Sequence, residues 1–233
     1  MKREILDQLQ AARAAARPVA LATELASGRQ ALVFAGEEAG DLALGAEAKA
    51  AILKALAADR SGTIEAAGQS LFVQSFSPPP RLIVVGAVHI AQPLAPMASL
   101  AGYGVVVIDP RRAFATDDRF PDVELSSEWP DEALARLKPD SRTAVITLTH
   151  DPKLDDPALT AALRSQAFYI GALGSRKTHA ARLSRLRQEG FGDNELARIH
   201  GPVGLSIGAL SPAEIAVSIM AQVTEVRRRE AAA

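Results

Sequence analysis

The sequence predicts an α/β protein in which a parallel-sheet domain is preceded by a small α+β domain. Three observations predict this. Residues 1–77 combine two helical segments with two pairs of strands, whereas residues 81–233 alternate short apolar strands with helices. Such alternation is typical of a parallel sheet covered by helices on both faces. The break between the two parts is the run SPPP at 77–80, because consecutive prolines neither continue a helix nor donate hydrogen bonds to a sheet.

In the first part, a turn at Gly28 and another at Gly68 each join two strand-like segments. A helical segment precedes each strand pair, and the second of these is rich in alanine, the strongest helix former. The predicted helices are 4–16 and 46–58, and the predicted strands are 19–25, 30–34, 63–66 and 70–76.

In the second part, the last helix has a clear start, since Ser211 can cap it, Pro212 suits its first position and Glu214 completes a capping box. The other elements follow from apolar periodicity. Strands are predicted at 81–86, 104–109, 143–148 and 167–172, with a weaker one near 123–126. Helices are predicted at 90–101, 131–137, 156–164, 176–189 and 212–229.

Composition excludes several classes of function. Lys and Arg total 26 against 27 Asp and Glu, and a net charge of -1 disfavours nucleic acid as a partner. The chain has no cysteine, which excludes disulfides, thiol catalysis and cysteine-bound metals. The apolar runs are too short to span a membrane, and the first twenty residues lack the apolar middle of a signal peptide. The cytoplasm is therefore the expected compartment.

The first strand after the prolines runs into Gly86, as in dinucleotide-binding folds, and Asp109 ends the second strand 23 positions later, where a ribose-binding acid is expected. These residues predict a Rossmann-like crevice. The dinucleotide-binding motif has the pattern G-x-G-x-x-G, and Val88 and Ala91 occupy its second and third glycine positions. The side chain of Val88 narrows the space for a pyrophosphate at this turn. Arg111 favours a phosphate over a bare ribose diol. An NAD(P)-dependent oxidoreductase is an alternative function, but Val88, Ala91 and Arg111 depart from the pattern of such enzymes and disfavour it. Asp109 could also have a structural role and cap the following turn.

Two further polar segments are expected at the same sheet edge. His150 and Asp151 follow an apolar strand, where they could bind a metal, move a proton or hydrogen-bond a polar ring. Alternatively, Asp151 and Pro152 simply end the strand in a turn. His89 ends the first strand and could face the same crevice. No spacing motif identifies a metal site, so the metal stays unassigned.

The loop after the fourth long strand predicts an anion site. Gly174 permits a tight turn, Ser175 can cap the next helix, and Arg176 could grip a phosphate beside the free N–H groups of the helix start. The alternative is an ordinary cap followed by solvated cations. His179 and His200 have no evident partner and are predicted at the surface. No arrangement in the sequence identifies a nucleophile.

Four ordered segments resemble the C-terminal domain of the XdhC/CoxI family, the accessory proteins of xanthine dehydrogenase and related molybdenum hydroxylases. They are LIVVGAVHIAQPLAPMASLAGYGVVVIDPRRAFATDDRFP, LTHDPKLDDPALTAALRS, YIGALGSRKTHAARLSRLRQEGF and IHGPVGLSIGALSPAEIAVSIMAQV, and together they cover most of residues 81–226. The resemblance implies a Rossmann-like domain that binds the molybdenum cofactor, a phosphate-bearing pterin, as a transient ligand. It also implies that a cysteine desulfurase sulfurates the cofactor, that a hydroxylase receives it, and that the chaperone is a non-catalytic homodimer.

The resemblance also implies where the cofactor would lie. Its phosphate would bind near Gly174, Ser175 and Arg176, and its pterin or metal end near His89, His150 and Asp151. The family pattern GAGHVG reads GAVHIA here. Near the N-terminus, only DLALGAE at 41–47 is similar to the family's glycine-rich signature, and the cysteine often found there is missing. A scaffold that joins hydroxylase and sulfurase without holding the cofactor is therefore a further hypothesis.

Overall fold

A computed structural model describes residues 2–230 of the chain. The chain divides into two compact units. The first runs from the N-terminus to Pro78 and includes the end of the chain from Arg228, and the second is Pro79–Arg227.

The first unit is built on a five-stranded antiparallel sheet with the order β3-β2-β1-β5-β4. The central strand β1 therefore pairs with both β2 and β5. The three-residue strand β3 was not predicted, because its side chains are half-buried at most and form no apolar pattern. The elements are α1 (Arg3–Ala14), β1 (Val19–Glu24), β2 (Gln30–Val33), β3 (Glu38–Gly40), α2 (Ala46–Ala57), β4 (Gly62–Ala66) and β5 (Gln69–Phe76).

One helix covers each face of this sheet, because neighbouring side chains of a strand point to opposite faces. Ala20 of β1 packs into the core beneath Ile52 of α2, whereas Leu21 packs with Leu9 of α1. The segment 41–47, which resembles the family signature, contributes Leu42 and Leu44 to the core on the α2 side. These two leucines thus help to anchor the connection between β3 and α2.

The second unit is built on a six-stranded parallel sheet with the order β11-β10-β9-β6-β7-β8. This is the doubly wound order of the Rossmann fold, with the switch point between β6 and β9. It confirms the predicted fold class. The elements are β6 (Arg81–Val85), α3 (Ala91–Leu100), β7 (Gly104–Ile108), β8 (Glu124–Ser126), α4 (Pro130–Leu137), β9 (Thr143–Thr147), α5 (Pro152–Leu163), β10 (Tyr169–Ala172), α6 (Arg176–Gln188), α7 (Asp193–Leu196), β11 (Ile199–His200) and α8 (Pro212–Glu230).

Helices cover both faces of the parallel sheet, which explains why its strands are almost continuously apolar. Val84 packs with Leu94 of α3 and Ile219 of α8 on one face. Val85 packs on the other face with the buried sides of α4, α5 and α6. No helix within residues 2–230 is long and apolar enough to cross a membrane.

The main departure from the predicted elements is the start of α5, which lies at Pro152 and not near 156. The Asp151 carboxylate caps the helix by accepting the Lys153 N–H at 2.9 Å, and Pro152 suits the first helical position. Pro157 also suits an early helical position, so the sequence was compatible with a later start. The short elements α7 and β11 were not predicted, because so few residues carry no periodicity.

Candidate functional site

The candidate site is the crevice outside the carboxyl ends of the parallel strands, next to the switch point between β6 and β9. Open α/β sheets bind ligands at this position. Four loops border it, each beginning where a strand ends. They are residues 86–90 after β6, 109–112 after β7, 148–151 after β9 and 173–175 after β10.

Asp109, at the end of β7, is fully buried and both of its carboxylate oxygens are occupied. It accepts the Ala87 N–H at 2.8 Å. It also accepts the Arg111 N–H at 3.0 Å, Nε at 2.9 Å and Nη2 at 2.8 Å. Burial raises the pKa of Asp109, but the Arg111 and Ala87 hydrogen bonds outweigh it and lower the pKa overall. Asp109 therefore fixes the turn after β6 and holds Arg111 in one orientation.

Arg111 connects this carboxylate to the other acids of the crevice. Its pKa is raised by Asp109 and further by the negative charges of Asp151 and Asp155. His150 is exposed with a left-handed φ of 61°, and its charge acts to lower the pKa of Asp155. The structure thus brings Arg111, from the loop after β7, within electrostatic range of the predicted Asp151 after β9, and both Arg111 and His150 within range of Asp155 in α5.

Gly86 is the point at which the β6 and β9 loops touch. Its φ is +109°, and a Cβ there would lie 2.5 Å from Thr149 Cγ2 and 3.3 Å from the Thr149 nitrogen. Only glycine fits this close approach without a shift of the β9 loop. Val88, which the sequence placed over the turn, is half-buried and packs against the core of α3 and α8. His89 is exposed, and within residues 2–230 it forms no hydrogen bond or ion pair, with His150 or with any other residue.

A buried ion pair that the sequence analysis did not identify ties the β9 loop to the β10 loop. Arg182 Nη2 lies 3.4 Å from Asp155 Oδ2, and both side chains are 2% exposed. Arg182 also donates to the Leu173 carbonyl at 2.9 Å. Asp155 accepts the Thr149 hydroxyl at 2.7 Å. Burial raises the pKa of Asp155, and Thr149 and Arg182 offset this only in part.

One signal in the sequence could have indicated this arginine. Arg182 lies four residues before the buried Leu186 on α6, so the two side chains face the same side of the helix. An arginine on the apolar stripe of a helix requires a buried partner. The sequence does not show which acid supplies it.

The start of α6 is cationic. Ser175 caps the helix by accepting the Thr178 N–H at 3.1 Å. The first turn has no acid and carries the exposed Arg176 and Lys177. Acids are the usual residues at this helix end, because the helix dipole is positive there. This end of α6 is therefore suited to bind an anion.

A third cation lies beneath the same loop. A Cβ on Gly174 would stand 3.9 Å from Arg182 Nη1, so this nitrogen lies close beneath the Gly174 backbone. Within the described part of the chain, Nε and Nη1 of Arg182 are buried without a hydrogen-bond partner. Burial lowers the pKa of Arg182, although Asp155 acts in the opposite direction.

The prediction that His179 and His200 lie at the surface was wrong. The ring of His179 lies directly against Gly201, where a side chain could not fit. The ring of His200 stacks on Tyr169 with centroids 4.7 Å apart. Burial lowers the pKa of both histidines, with the charge of Arg182 adding to the effect at His179.

The side chains of the crevice do not form a metal centre. Among residues 2–230, no three His, Cys, Asp or Glu side chains are grouped as a metal site requires. The crevice residues thus offer hydrogen bonds and charge, arranged around a cationic helix start.

Comparison with known proteins places this arrangement in a family. The family model of the XdhC Rossmann domain matches residues 82–223. A Bacillus subtilis protein, named as a probable subunit of xanthine dehydrogenase, is 35% identical over 163 residues, which are 70% of this chain and 47% of that protein. The Escherichia coli "Molybdenum cofactor insertion chaperone PaoD" is 35% identical over 156 residues, or 67% of this chain and 43% of that protein.

A solved structure agrees with this assignment. The crystal structure of a Bacillus halodurans protein described as a xanthine dehydrogenase superposes with a TM-score of 0.77 at 27% identity, covering 98% of this chain and 68% of that one. The chain spans less than half the length of the two curated relatives described above. The family match covers well over half of this chain and includes every strand residue of the parallel sheet except Arg81. The chain therefore belongs to the XdhC family.

Proposed function

We propose that this chain is an accessory protein that binds the molybdenum cofactor and supports its insertion into a molybdenum hydroxylase such as xanthine dehydrogenase. Family membership and the name of the E. coli relative support the proposal. The observation that carries it is the cationic start of α6, where Arg176 and Lys177 lie outside the loop and Arg182 lies beneath it.

The donors at this helix start fit the phosphate of the cofactor. Backbone N–H groups at a helix start bind phosphate, and arginine can add a bidentate contact. The buried Nη1 of Arg182 has no acceptor within residues 2–230, and a buried donor without a partner is costly. A phosphate near Gly174 and Ser175 would satisfy these donors.

The loops after β7 and β9 fit the pterin end of the cofactor. His150 and Asp151 offer a donor and an acceptor, and Arg111 adds a cation. His89 is exposed on the neighbouring turn. When bound, the cofactor supplies the molybdenum chemistry of the hydroxylase. The residues of this chain hold and orient the cofactor, without a catalytic step of their own.

We also propose the finer steps that the family resemblance implies. The cofactor is held transiently, a cysteine desulfurase provides its terminal sulfur, and the chaperone acts as a homodimer. The absence of cysteine from this chain means that no thiol of its own holds the cofactor or relays the sulfur.

The test is an anaerobic titration of the purified chain with molybdenum cofactor released from a hydroxylase. We expect the double variant Arg176→Ala/Lys177→Ala to bind about ten- to a hundredfold more weakly, the cost of one or two charge-assisted hydrogen bonds. Arg187→Ala is the matched control, since Arg187 is an exposed arginine near the other end of α6 that pairs with Asp193.

Two results would refute the proposal. One is a folded wild-type chain that does not bind the cofactor. The other is hydroxylase maturation that survives both Arg176→Ala and His150→Ala, which would instead support the scaffold that holds no cofactor.

A further inference from the structure

We infer that Arg111 and Phe114 form a stacking site for a planar heteroaromatic ring that is attached to a phosphate, such as a nucleobase or a pterin. The inference rests on the proposed function for the identity of the natural ligand, because the ring would belong to the cofactor or to a nucleotide joined to it. Its physical basis is the fixed plane of the Arg111 guanidinium.

The guanidinium of Arg111 is held on two sides before any ligand arrives. Nε and Nη2 donate to the buried Asp109 carboxylate, at 2.9 and 2.8 Å. The central carbon lies 4.7 Å from the centroid of the Phe114 ring. The side chain is nevertheless 40% exposed. A cation that is immobile and partly exposed loses little conformational entropy when a ligand binds to it.

The Phe114 ring is anchored although it is 44% exposed. The Phe114 N–H donates to the Arg111 carbonyl at 2.9 Å, which closes a turn and returns the ring to the guanidinium. Arg119 Nη1 donates to the Phe114 carbonyl at 2.6 Å. Arg119 in turn lies 5.5 Å from the centroid of the buried Phe120 ring. The exposed aromatic ring is thus tied to the core of the unit.

The chemistry of this pair selects a flat, phosphate-bearing ligand. Guanidinium planes and aromatic side chains stack on heteroaromatic rings whatever the identity of the ring, because every such ring has a flat π-face. Nη1 of Arg111 forms no hydrogen bond with residues 2–230, so it is available to donate to a phosphate or ring oxygen.

The same geometry assigns a different role to Asp109 from that of the ribose-binding acid in an NAD enzyme. Both of its oxygens hold Arg111 or the turn after β6, so contact with a ribose diol would require the loss of these bonds. The ligand-contacting group at the end of β7 is therefore the arginine. Asp109 is a positioning residue for it.

Isothermal titration of the full chain with GMP, CMP, neopterin monophosphate and ribose 5-phosphate tests the inference. We expect at least one ring-bearing probe to bind about tenfold or more tightly than ribose 5-phosphate, because one stacked ring contributes about 1–3 kcal/mol. Arg111→Lys keeps the charge but removes the plane and should abolish this difference. Phe114→Leu should reduce it, and Arg112→Ala, which changes an exposed neighbouring arginine, should preserve it.

The inference fails if no ring-bearing probe binds more tightly than ribose 5-phosphate, or if Arg111→Lys and Phe114→Leu leave the difference unchanged. Phe114 is exposed, so its variant stays informative if Arg111→Lys does not fold. Tighter binding of GMP or CMP identifies a nucleotide as the natural source of the ring, and tighter binding of neopterin monophosphate identifies the pterin. A chain that prefers ring-bearing probes but does not bind the molybdenum cofactor would refute the proposed function alone, and the converse result would refute this inference alone.

Discussion

Arg182 and Asp155 form an ion pair at 3.4 Å in which both side chains are 2% exposed. The pair joins α5 to α6 and, through Thr149 and Leu173, the loops after two neighbouring strands. The distance between the two sides of the crevice therefore depends on a buried electrostatic contact as well as on apolar packing.

Removal of Asp155 is expected to destabilise the protein strongly. Asp155→Ala leaves the charge of Arg182 buried without compensation, and the free energy of unfolding should fall by about 3–5 kcal/mol. Urea unfolding followed by circular dichroism measures this loss. Asp156→Ala is the control, because Asp156 pairs with Arg185, whose side chain is 39% exposed, and should cost only about 1 kcal/mol. Equal losses in the two variants would contradict the assigned role of the buried pair.

The two half-buried histidines, His179 and His200, are expected to make stability depend on pH. Burial lowers the pKa of His179 and His200 below the ordinary 6.5, so the unfolded chain binds more protons than the folded chain just below that pH. The stabilisation that the two neutral histidines provide is complete above pH 6.5. It is lost as the pH falls through their lowered pKa values. The free energy of unfolding should therefore fall as the pH drops below about 6.5, by at most about 1.4 kcal/mol per pH unit for each histidine.

Unfolding curves of His179→Gln across the same pH range check this prediction. The variant should show a shallower dependence on pH than the wild type. His89→Gln removes an exposed histidine for comparison and should retain the wild-type slope. A slope that His179→Gln does not change would place the pH dependence in other groups.

The contact between Gly86 and Thr149 is expected to make alanine at position 86 destabilising. Gly208→Ala, at a φ of +77° with no atom within 4 Å of the new Cβ, measures backbone strain alone, about 1–2 kcal/mol. Gly86→Ala should cost about 1–3 kcal/mol more, because its Cβ meets the Thr149 methyl group. Thr149→Ser in the same chain removes that methyl but keeps the hydroxyl that donates to Asp155. The double variant should therefore recover part of the loss, and strictly additive effects would rule out the contact.

The phenol of Tyr169 is expected to stay protonated in the folded protein at high pH. Burial raises its pKa well above the ordinary 10.0, and its hydroxyl donates to Gln222 Oε1 at 2.6 Å. The chain has two tyrosines, so replacing Tyr169 leaves one tyrosine that can contribute to the tyrosinate absorbance. Wild type and Tyr169→Phe should give the same tyrosinate absorbance up to about pH 11 while folded, and should differ by one tyrosinate after unfolding. A difference between the folded proteins at that pH would contradict the prediction.

Local patterns explain why the fold was largely predictable. The capping box at Ser211 marks the start of α8 because caps depend on neighbouring residues, and it forms as expected, with the Glu214 carboxylate accepting the Ser211 N–H at 2.8 Å. Strand β6 was predicted because its apolar run and the following Gly86 are adjacent in the chain. The start of α5 was misplaced because two prolines within six residues both suit an early helical position.

The candidate site was predictable only in outline. Its loops follow strand ends, which the sequence indicated, and for that reason Asp109, His150 and Ser175 were named as candidates. The roles of these residues depended on their neighbours in space. Asp109 could be read as a ribose ligand or as a cap, and the structure shows that its oxygens hold Arg111 and the turn after β6. His200 looked unpartnered because Tyr169 is 31 positions away in the chain.

The sequence by itself determined the fold class, the order of the longer helices and strands, and the loops that border the crevice, because apolar periodicity, caps and turn residues act between near neighbours. Only the tertiary structure decided that Arg182 is buried against Asp155, 27 positions away, with Nε and Nη1 left without a hydrogen-bond partner among residues 2–230. It also decided that Arg111 is fixed between Asp109 and Phe114. Both arrangements depend on side chains brought together by the winding of the sheet, and the energy of a charge depends on how fully its surroundings exclude water.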